Sequence, residues 1–276
     1  MATDGRSALE RRMGSAAKRR ESGVRSIVCI KRVPDSATRI RIGPHGRSID
    51  PEGVKYVMNP YDEFALEEAL RLREAAGEGA VTAITLGPEE AKETLRSALA
   101  MGADEAVLLD ADASLAATAD GLSVARALAD ELRAREFDLL LFGKQAIDDD
   151  GSQVPVLVAE LLGLPCATVV VGLGVSGGRA VARREVEGGH ETVEFALPGV
   201  VSAQKGLNEP RYPSLKGIMA AKRKPLEEKK VTLEAPALEL LALEEPPPAP
   251  GGEIVGEGPD AVPELVRRLR EEAKAL

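Results

Sequence analysis

Short apolar segments alternate with amphipathic helical segments between residues 26 and 171, and this alternation constrains the fold more than any other feature. It predicts a mainly parallel sheet, because each helix provides a right-handed crossover between parallel strands. Helices then cover both faces, so we expect a doubly wound α/β fold. The predicted strands are 26–33, 80–86, 105–109, 138–142 and 166–171. Two predicted helices begin at Pro60 and after Pro88, and two more span 119–135 and 152–162.

Capping residues indicate where these helices begin and end. Asn59 can cap the first helix, Pro60 suits its first position, and the acids that follow suit the positive end of the helix dipole. Gly102 and Gly163 follow the last apolar positions of two later helices. A left-handed glycine commonly ends a helix, so we expect both helices to stop there.

The pattern changes after residue 173. Two alternating runs, 179–186 and 191–196, flank Glu187-Gly188-Gly189-His190 and predict a β-hairpin. Residues 172–177 (GLGVSG) match the G-x-G-x-x-G pattern of dinucleotide sites. That pattern requires a helix to follow it, whereas a strand-like run follows here, so we expect a turn.

The two ends of the chain differ from its centre. Residues 1–25 carry seven basic and three acidic residues without an apolar segment behind them, which predicts a disordered tail. Residues 245–252 (EPPPAPGG) predict a linker, and 260–274 an amphipathic helix. A lone helix beyond a linker cannot bury its own apolar face, so we expect it to dock on a partner chain. The expected domains are 1–25, 26–225 and 226–276.

Composition argues against several function classes. The net charge of −9 and a pI near 5.1 disfavour nucleic acid as a partner. Only two histidines occur, each beside a glycine, so we expect neither a histidine-based metal site nor a hydrolytic triad. Cys29 and Cys166 lie in apolar runs and are expected to be buried free thiols in a reducing compartment. No apolar stretch is long enough to predict a membrane helix.

The segment GKQAIDDDGSQVP (143–155) directly follows the apolar run 139–142. Ligands of parallel α/β sheets bind at the carboxyl ends of strands, so a site is expected here. Three interpretations of Asp148, Asp149 and Asp150 compete. They could form a metal site, a catalytic acid pair, or a cap on the next helix beside a nucleotide.

The capping interpretation fits these residues best. Three consecutive side chains diverge, which disfavours a shared metal, although one or two could bind a Mg²⁺ held by a nucleotide phosphate. Nothing places two carboxylates across a substrate, as acid–base catalysis requires. A carboxylate can instead pair with the free amides at a helix start. Neutral donors and close backbone approach come from Gln145, Gly151, Ser152 and Gln153. A purely structural cap stays open as an alternative to a nucleotide pocket.

Six segments resemble the β subunit of electron-transfer flavoprotein. They are VCIKRVPD (28–35), MNPYD (58–62), ALAMGAD (98–104), GKQAIDDD (143–150), EGGHE (187–191) and LNEPRY (207–212). The resemblance covers residues 26–224, with the motifs in the family's order. The N-terminal tail and the region beyond residue 230 lie outside it.

The resemblance implies an adenine-nucleotide-binding α/β domain that holds AMP structurally and pairs with an α subunit, which provides most of the FAD contacts. The implied heterodimer carries electrons from flavin dehydrogenases, such as the acyl-CoA dehydrogenases of fatty acid β-oxidation, to a membrane quinone oxidoreductase. It implies no catalytic residue set in this chain. The implied location is the bacterial cytoplasm, or the mitochondrial matrix in a eukaryote.

Two alternatives to this interpretation stay open. Some family members bifurcate electrons and hold a second FAD in place of AMP. These often carry glycine at the position of Asp149, so Asp149 favours AMP. The chain could also be a stand-alone nucleotide-binding module.

The resemblance also assigns residues by position. The implied AMP-binding residues are Cys29, Asn59, Pro60, Tyr61, Asp62, Leu86, Gly143, Lys144, Gln145, Ala146, Ile147, Asp148, Asp149, Asp150, Gly151, Ser152, Gln153 and Val154. The implied partner-recognition loop is 203–225, with Arg211, Tyr212, Leu215, Ile218 and Met219.

An apolar stripe within this loop supports the recognition role. Leu215, Ile218 and Met219 fall at positions i, i+3 and i+4 of a short predicted helix, and three cations follow them at 222–224. Such a surface suits a weak, electrostatically steered encounter. The alternative is that this face packs into the chain's own core.

Overall fold

A computed structural model of the chain describes residues 23–113, 119–247 and 251–276. The strands are β1 (Arg25–Cys29), β2 (Arg32–Pro34), β3 (Tyr56–Met58), β4 (Ala80–Gly87), β5 (Glu105–Asp110), β6 (Leu139–Gly143), β7 (Cys166–Ser176), β8 (Arg179–Val186), β9 (Gly189–Ala196), β10 (Gly199–Ala203) and β11 (Leu226–Lys230). The α-helices are α1 (Pro60–Ala76), α2 (Lys92–Met101), α3 (Gly121–Arg133), α4 (Val154–Leu162), α5 (Leu215–Ala221) and α6 (Val262–Glu271).

Nine of these strands form one sheet in the order β11-β5-β4-β1-β6-β10-β7-β8-β9. Every pairing from β11 to β7 is parallel, and only β8 and β9 are antiparallel to their neighbours. In chain order, β4 and β5 add to one side of β1 first, and β6 then pairs with the other side of β1. This is the predicted doubly wound α/β fold, and the prediction is confirmed.

Helices cover both faces of the sheet, and side-chain alternation in β6 shows how. Leu139 and Leu141 belong to a core cluster that includes residues of α1 and α2. Leu140 and Phe142 point to the opposite face, into a second cluster with residues of α3 and α4. A strand buried on both faces is apolar throughout, which explains the uninterrupted apolar run that the sequence shows here.

The predicted strand 26–33 is wrong as a single element. β1 ends at Cys29, and β2 belongs to a separate two-stranded antiparallel sheet with β3. The break lies at Ile30 and Lys31, whose backbone groups bond to Thr85 and Asp62. These tertiary hydrogen bonds redirect the chain within an apolar run that looks continuous in the sequence.

Glycines end the helices as expected, and α1 begins at Pro60 as predicted, but the expected side-chain cap from Asn59 is wrong. α2 stops at Met101 with Gly102 at φ +142°, and α4 stops at Leu162 with Gly163 in the left-handed region. Asn59 precedes α1, but its side chain makes no capping hydrogen bond. That side chain instead bonds to a distant loop, described below.

The β7–β9 region contains the predicted hairpin and one unexpected extension. β8 and β9 pair in antiparallel register, which confirms the hairpin. The GLGVSG segment is mostly strand, because β7 continues to Ser176 and the turn is formed by Gly177 and Gly178, both with positive φ. β8 follows this turn, so the helix that a dinucleotide motif requires is absent at this place. β10 and β11 were not predicted.

The chain divides into two compact units between Leu243 and Glu244. The C-terminal unit contains α6, which is shorter than the predicted 260–274 helix. Residues 248–250 of the predicted linker and 1–22 of the predicted tail lie outside the described residues. Arg25, expected in the tail, is the first residue of β1. The domain limits and the docking of the last helix stay predictions.

Candidate functional site

The predicted site lies where the winding of the sheet reverses direction. β1 has β4 on one side and β6 on the other. The segments that leave β1 and β6 therefore border a crevice at the carboxyl edge of the sheet, where ligands of doubly wound folds bind. One of these segments is residues 144–153, which we call the β6–α4 loop. Lys31 lies just beyond the end of β1.

Asp62, in the first turn of α1, connects this helix to both strand ends. Its carboxylate accepts hydrogen bonds from the backbone N–H groups of Lys31 at 2.7 Å and Gly143 at 2.9 Å. The side chain is buried. Burial raises the pKa of Asp62 to about 7, because the loss of hydration outweighs the hydrogen bonds that favour the charged form. Both carboxylate oxygens are thus engaged by the chain's own backbone.

Gly143 allows β6 to approach α1 closely. A Cβ atom at this position would lie 2.4 Å from Oδ1 of Asp62 and 2.7 Å from Cβ of Tyr61. Side chains in real structures do not come so close, so any other residue would force the strand end and the helix apart.

Asn59 holds the start of the β6–α4 loop. Its Nδ2 donates to the carbonyl oxygen of Gln145 at 2.9 Å, and its Oδ1 accepts from the N–H of Ile147 at 3.2 Å. One amide side chain therefore satisfies both a backbone acceptor and a backbone donor of the loop. A capping side chain would bond to N–H groups of its own helix, whereas the side chain of Asn59 bonds to a loop that is distant in sequence.

The three aspartates do not cap α4, so the capping interpretation is wrong. Nζ of Lys31 lies 2.8 Å from Oδ1 of Asp148 and 2.9 Å from Oδ2 of Asp149. The other oxygen of Asp149 accepts from the N–H of Gly151 at 3.0 Å, and Asp150 accepts from the side-chain amide of Gln145. The carboxylates thus stabilise the loop itself and neutralise the lysine.

These contacts shift the pKa values of the lysine and of one aspartate. Burial alone would lower the pKa of Lys31, but Asp148 and Asp149 outweigh it and raise that pKa. Burial would raise the pKa of Asp149, but its hydrogen bond from Gly151 and the charge of Lys31 lower it. Both groups are therefore charged at neutral pH.

The start of α4 lacks a side-chain cap. Gln153 precedes the helix without a capping hydrogen bond, and Pro155 has no N–H. Two residues shortly before Gln153 have left-handed backbone conformations: Asp150 has φ +49° and Ser152 has φ +53°. Left-handed residues other than glycine are costly and cluster at ligand sites. The first turn of α4 can therefore offer free N–H groups and its positive dipole end to an anion.

Lys144 and Tyr61 border the same crevice. Nζ of Lys144 lies 5.1 Å from the centroid of the Tyr61 ring, within the range of a cation–π contact. Among the described residues no carboxylate forms an ion pair with Lys144. Its ammonium group is thus available to a ligand anion.

Two further predicted residues lie on neighbouring strands. Cys29 is a buried free thiol at the end of β1, and burial raises its pKa, as does the nearby charge of Asp62. Leu86 lies on β4, two residues beyond Ile84, which pairs with Cys29 in the sheet. Its side chain is partly buried against the core. Cys166 is also a free thiol but is only partly buried, so the expected burial is confirmed for Cys29 and wrong for Cys166. Partial burial raises the pKa of Cys166 to about 11.

In the described ranges, no group of three or more His, Cys, Asp or Glu side chains is positioned to hold a metal ion. The aspartates therefore offer no dedicated metal centre in this part of the chain. Nor does any described helix have the length and apolar character needed to cross a membrane.

Comparison with known proteins decides the family. Residues 47–234 match the electron transfer flavoprotein domain. The chain is 43% identical to the electron transfer flavoprotein subunit beta of Bacillus subtilis, over 90% of this chain and 98% of the relative. It is 39% identical to the proteins of the same description from Mus musculus and Homo sapiens, over 90% of this chain and 97% of each relative. The chain belongs to the family of electron transfer flavoprotein β subunits.

Sequence reasoning missed one residue of this candidate site. Lys31 lies in the VCIKRVPD segment but was not among the residues assigned by position. The available signal was a lysine directly after an apolar strand, opposite a loop with three carboxylates. Its partners lie more than a hundred residues away, so only the sheet topology brings them together.

The implied recognition loop is held against α1 by Arg211. Its guanidinium bonds to Glu67 at 2.7 Å and to Glu74 at 2.6 Å, and its hydrogen bonds to Glu74 lower the pKa of that carboxyl. Asn208 donates to Glu68 and to the carbonyl of Phe64 at 2.9 Å. Arg211 therefore acts within the chain, as an anchor of the loop.

The other implied recognition residues are exposed. The exposed fractions are 94% for Tyr212, 83% for Leu215 and 72% for Met219, and Ile218 is also exposed. The alternative that this face packs into the chain's own core is therefore wrong. Their function in recognition stays a prediction.

Proposed function

We propose that this chain binds AMP between the ends of β1 and β6 and forms the nucleotide-holding half of an electron-carrying heterodimer. The observation that supports this most is the β6–α4 loop. It lies at the reversal point of the sheet and leads into an uncapped helix start. Beside it is Lys144, which has no carboxylate partner in the part of the chain that the structure describes. A phosphate monoester would accept hydrogen bonds from the free amides of α4 and pair with that ammonium.

The redox cofactor of the proposed heterodimer is FAD, held mainly by an α subunit. The names of the relatives support this pairing, since each is called a subunit beta. We propose that the C-terminal unit, with α6, docks on the α subunit. The face of α6 that carries Val262 and Leu265 is exposed within its unit, which would suit such a contact.

We propose that the surface formed by Tyr212, Leu215, Ile218 and Met219, the α5 patch, meets the electron donors. These would be flavin dehydrogenases such as acyl-CoA dehydrogenases, and the acceptor would be a quinone oxidoreductase. The patch combines exposed apolar side chains with the exposed cations Lys222 and Arg223. This composition suits short-lived encounters steered by charge. The chain would act as a carrier subunit without catalytic residues of its own.

The test is to co-express the chain with its α subunit, purify the complex, release its ligands by denaturation and identify them. One FAD and one AMP per heterodimer is the expected result. Two flavins and no AMP would instead support the bifurcating alternative. A colourless chain that binds AMP and never associates with a second subunit would support the stand-alone module. A complex without any nucleotide would contradict the proposed site.

Asp149 favours AMP over a second FAD. Its carboxylate pairs with Lys31 and accepts from the N–H of Gly151, so it helps to close the turn that precedes α4. A glycine at this position would lose both contacts, so the turn from 149 to 151 would be held less firmly. The ligand analysis above distinguishes the two cases directly.

A further inference from the structure

We infer that Lys31 makes the β6–α4 loop electrostatically able to accept a phosphate, by offsetting part of the negative charge of Asp148 and Asp149 rather than by contacting the ligand. The inference rests on the proposed binding of AMP and assigns a function to a residue outside the predicted site. Lys31 is thus a positioning residue for the nucleotide.

The negative charge of the β6–α4 loop opposes the binding of a phosphate. Three consecutive carboxylates precede α4 by a few residues, and the phosphate of AMP carries up to two negative charges. Repulsion between them would oppose the attraction of the free amides and the helix dipole. An anion site beside three aspartates therefore requires a nearby positive charge.

Lys31 is placed to supply this charge. Its backbone N–H is fixed by Asp62 at 2.7 Å, which determines where the side chain leaves the end of β1. Its Nζ then bridges Asp148 at 2.8 Å and Asp149 at 2.9 Å. One ammonium group shared by two carboxylates has little capacity left for a third anion.

The second lysine of the site has the complementary arrangement. Lys144 has no carboxylate partner among the described residues and lies over the Tyr61 ring. The two lysines therefore differ in function. Lys31 offsets part of the negative charge of the loop, and Lys144 is available to the phosphate.

The experiment is a double-mutant cycle on the full chain after removal of bound nucleotide, with AMP and adenosine as the probes. We expect Lys31→Met to weaken AMP binding by about tenfold or more and adenosine binding by less than about threefold, since only AMP is charged. When Asp148→Asn and Asp149→Asn are added to Lys31→Met, AMP affinity should return to at least that of the unsubstituted chain, because the carboxylates that oppose the phosphate are then uncharged. Lys31→Arg should retain most of the binding, because the positive charge remains.

Lys55→Met is the matched control. Lys55 forms a 3.0 Å ion pair with Asp35 on the surface and, among the described residues, no ion pair with the loop, so its loss should leave AMP affinity unchanged. The inference alone would be overturned if Lys31→Met left AMP affinity within about twofold, or if the Lys31→Met/Asp148→Asn/Asp149→Asn variant bound AMP as weakly as Lys31→Met does. Equal losses for AMP and adenosine would show that Lys31 is merely structural and would also overturn it. Failure of the unsubstituted chain to bind AMP would reject the proposed function together with this inference.

Discussion

The carboxylate of Asp62 accepts a hydrogen bond from the backbone N–H of Gly143 at 2.9 Å, although 81 residues separate the two. The same carboxylate accepts from the N–H of Lys31, so one buried side chain sets the spacing of β1, β6 and α1. The β6–α4 loop begins at this junction. The geometry of the candidate site therefore depends on a residue that need not contact the ligand at all.

The raised pKa of Asp62 predicts a pH-dependent stability. The folded chain keeps the Asp62 proton up to about pH 7, whereas the unfolded chain releases it near the ordinary pKa of 3.8. The folded state binds more protons between these values, so the contribution of Asp62 to the free energy of unfolding falls as the pH rises from about 4 to about 7. Above about 7 the contribution is constant.

Urea denaturation of the unsubstituted chain and of Asp62→Asn, at pH steps from 4.5 to 8, measures this contribution. The free energy of unfolding of the unsubstituted chain minus that of Asp62→Asn should decrease towards pH 7 and then level off. The subtraction cancels the contributions of the other titrating groups. A difference that is flat or rises with pH would mean that the N–H groups of Lys31 and Gly143 keep Asp62 ionised in the folded chain.

Substitution of Gly143 should be much more damaging than substitution of Gly151. A Cβ at Gly143 would lie 2.4 Å from Asp62, whereas a Cβ at Gly151 would have its nearest neighbour at 3.5 Å, an ordinary contact. We expect Gly143→Ala to lower the free energy of unfolding by about 3 kcal/mol, as overpacking does, and Gly151→Ala to change it by less than about 1 kcal/mol. Chemical denaturation measures both. Equal effects of the two variants would show that α1 can move away from β6 without cost.

The sheet was predictable from sequence because its signals are local. The apolar run at β6 and the glycines after α2 and α4 act within a few residues, so the pattern alone indicates the elements. β10 was not predicted because it returns to pair between β6 and β7 after the β8–β9 hairpin. β11 contains four charged residues in five and looks like surface, but it pairs with β5 at the sheet edge.

The candidate site was predictable in position but not in its interactions. The expectation that Asn59 and the three aspartates cap helices follows from local rules. The structure instead pairs Asn59 with Gln145 and Ile147, and two of the aspartates with Lys31. Local capping preferences are weak, about 1 kcal/mol each, so tertiary hydrogen bonds and ion pairs can replace them. Which partners replace them depends on the three-dimensional fold.

Truncation of Leu215 tests the α5 patch. Its side chain is 83% exposed, so Leu215→Ala should leave the free energy of unfolding unchanged. If the leucine anchors the donor, we expect reduction of the heterodimer's flavin by a donor dehydrogenase to slow by about fivefold or more, with the flavin content unchanged. Stopped-flow absorbance measures this rate. Leu241→Ala, at a leucine of similar exposure outside the patch, should not affect it, and a rate within about twofold for Leu215→Ala would show that the patch is not the docking anchor.

Removal of Arg211 should release the recognition loop from α1. Arg211→Ala leaves the carboxylate of Glu67, which is only 4% exposed, without its guanidinium partner. A buried charge without a partner is costly, so we expect the free energy of unfolding to fall by about 1–3 kcal/mol. Glu74→Ala is the matched control, because it removes the more exposed end of the same network and should cost less than about 1 kcal/mol.

Hydrogen exchange distinguishes loop release from general destabilisation. In Arg211→Ala we expect faster exchange of the amides of 204–214, where the N–H of Arg211 also bonds to Glu67, with little change in β1 and β6. Donor reduction should slow in this variant as well, because a mobile loop presents Tyr212 and Leu215 in many orientations and must be ordered when the donor binds. Unchanged exchange in the loop together with unchanged donor kinetics would contradict the anchoring function of Arg211.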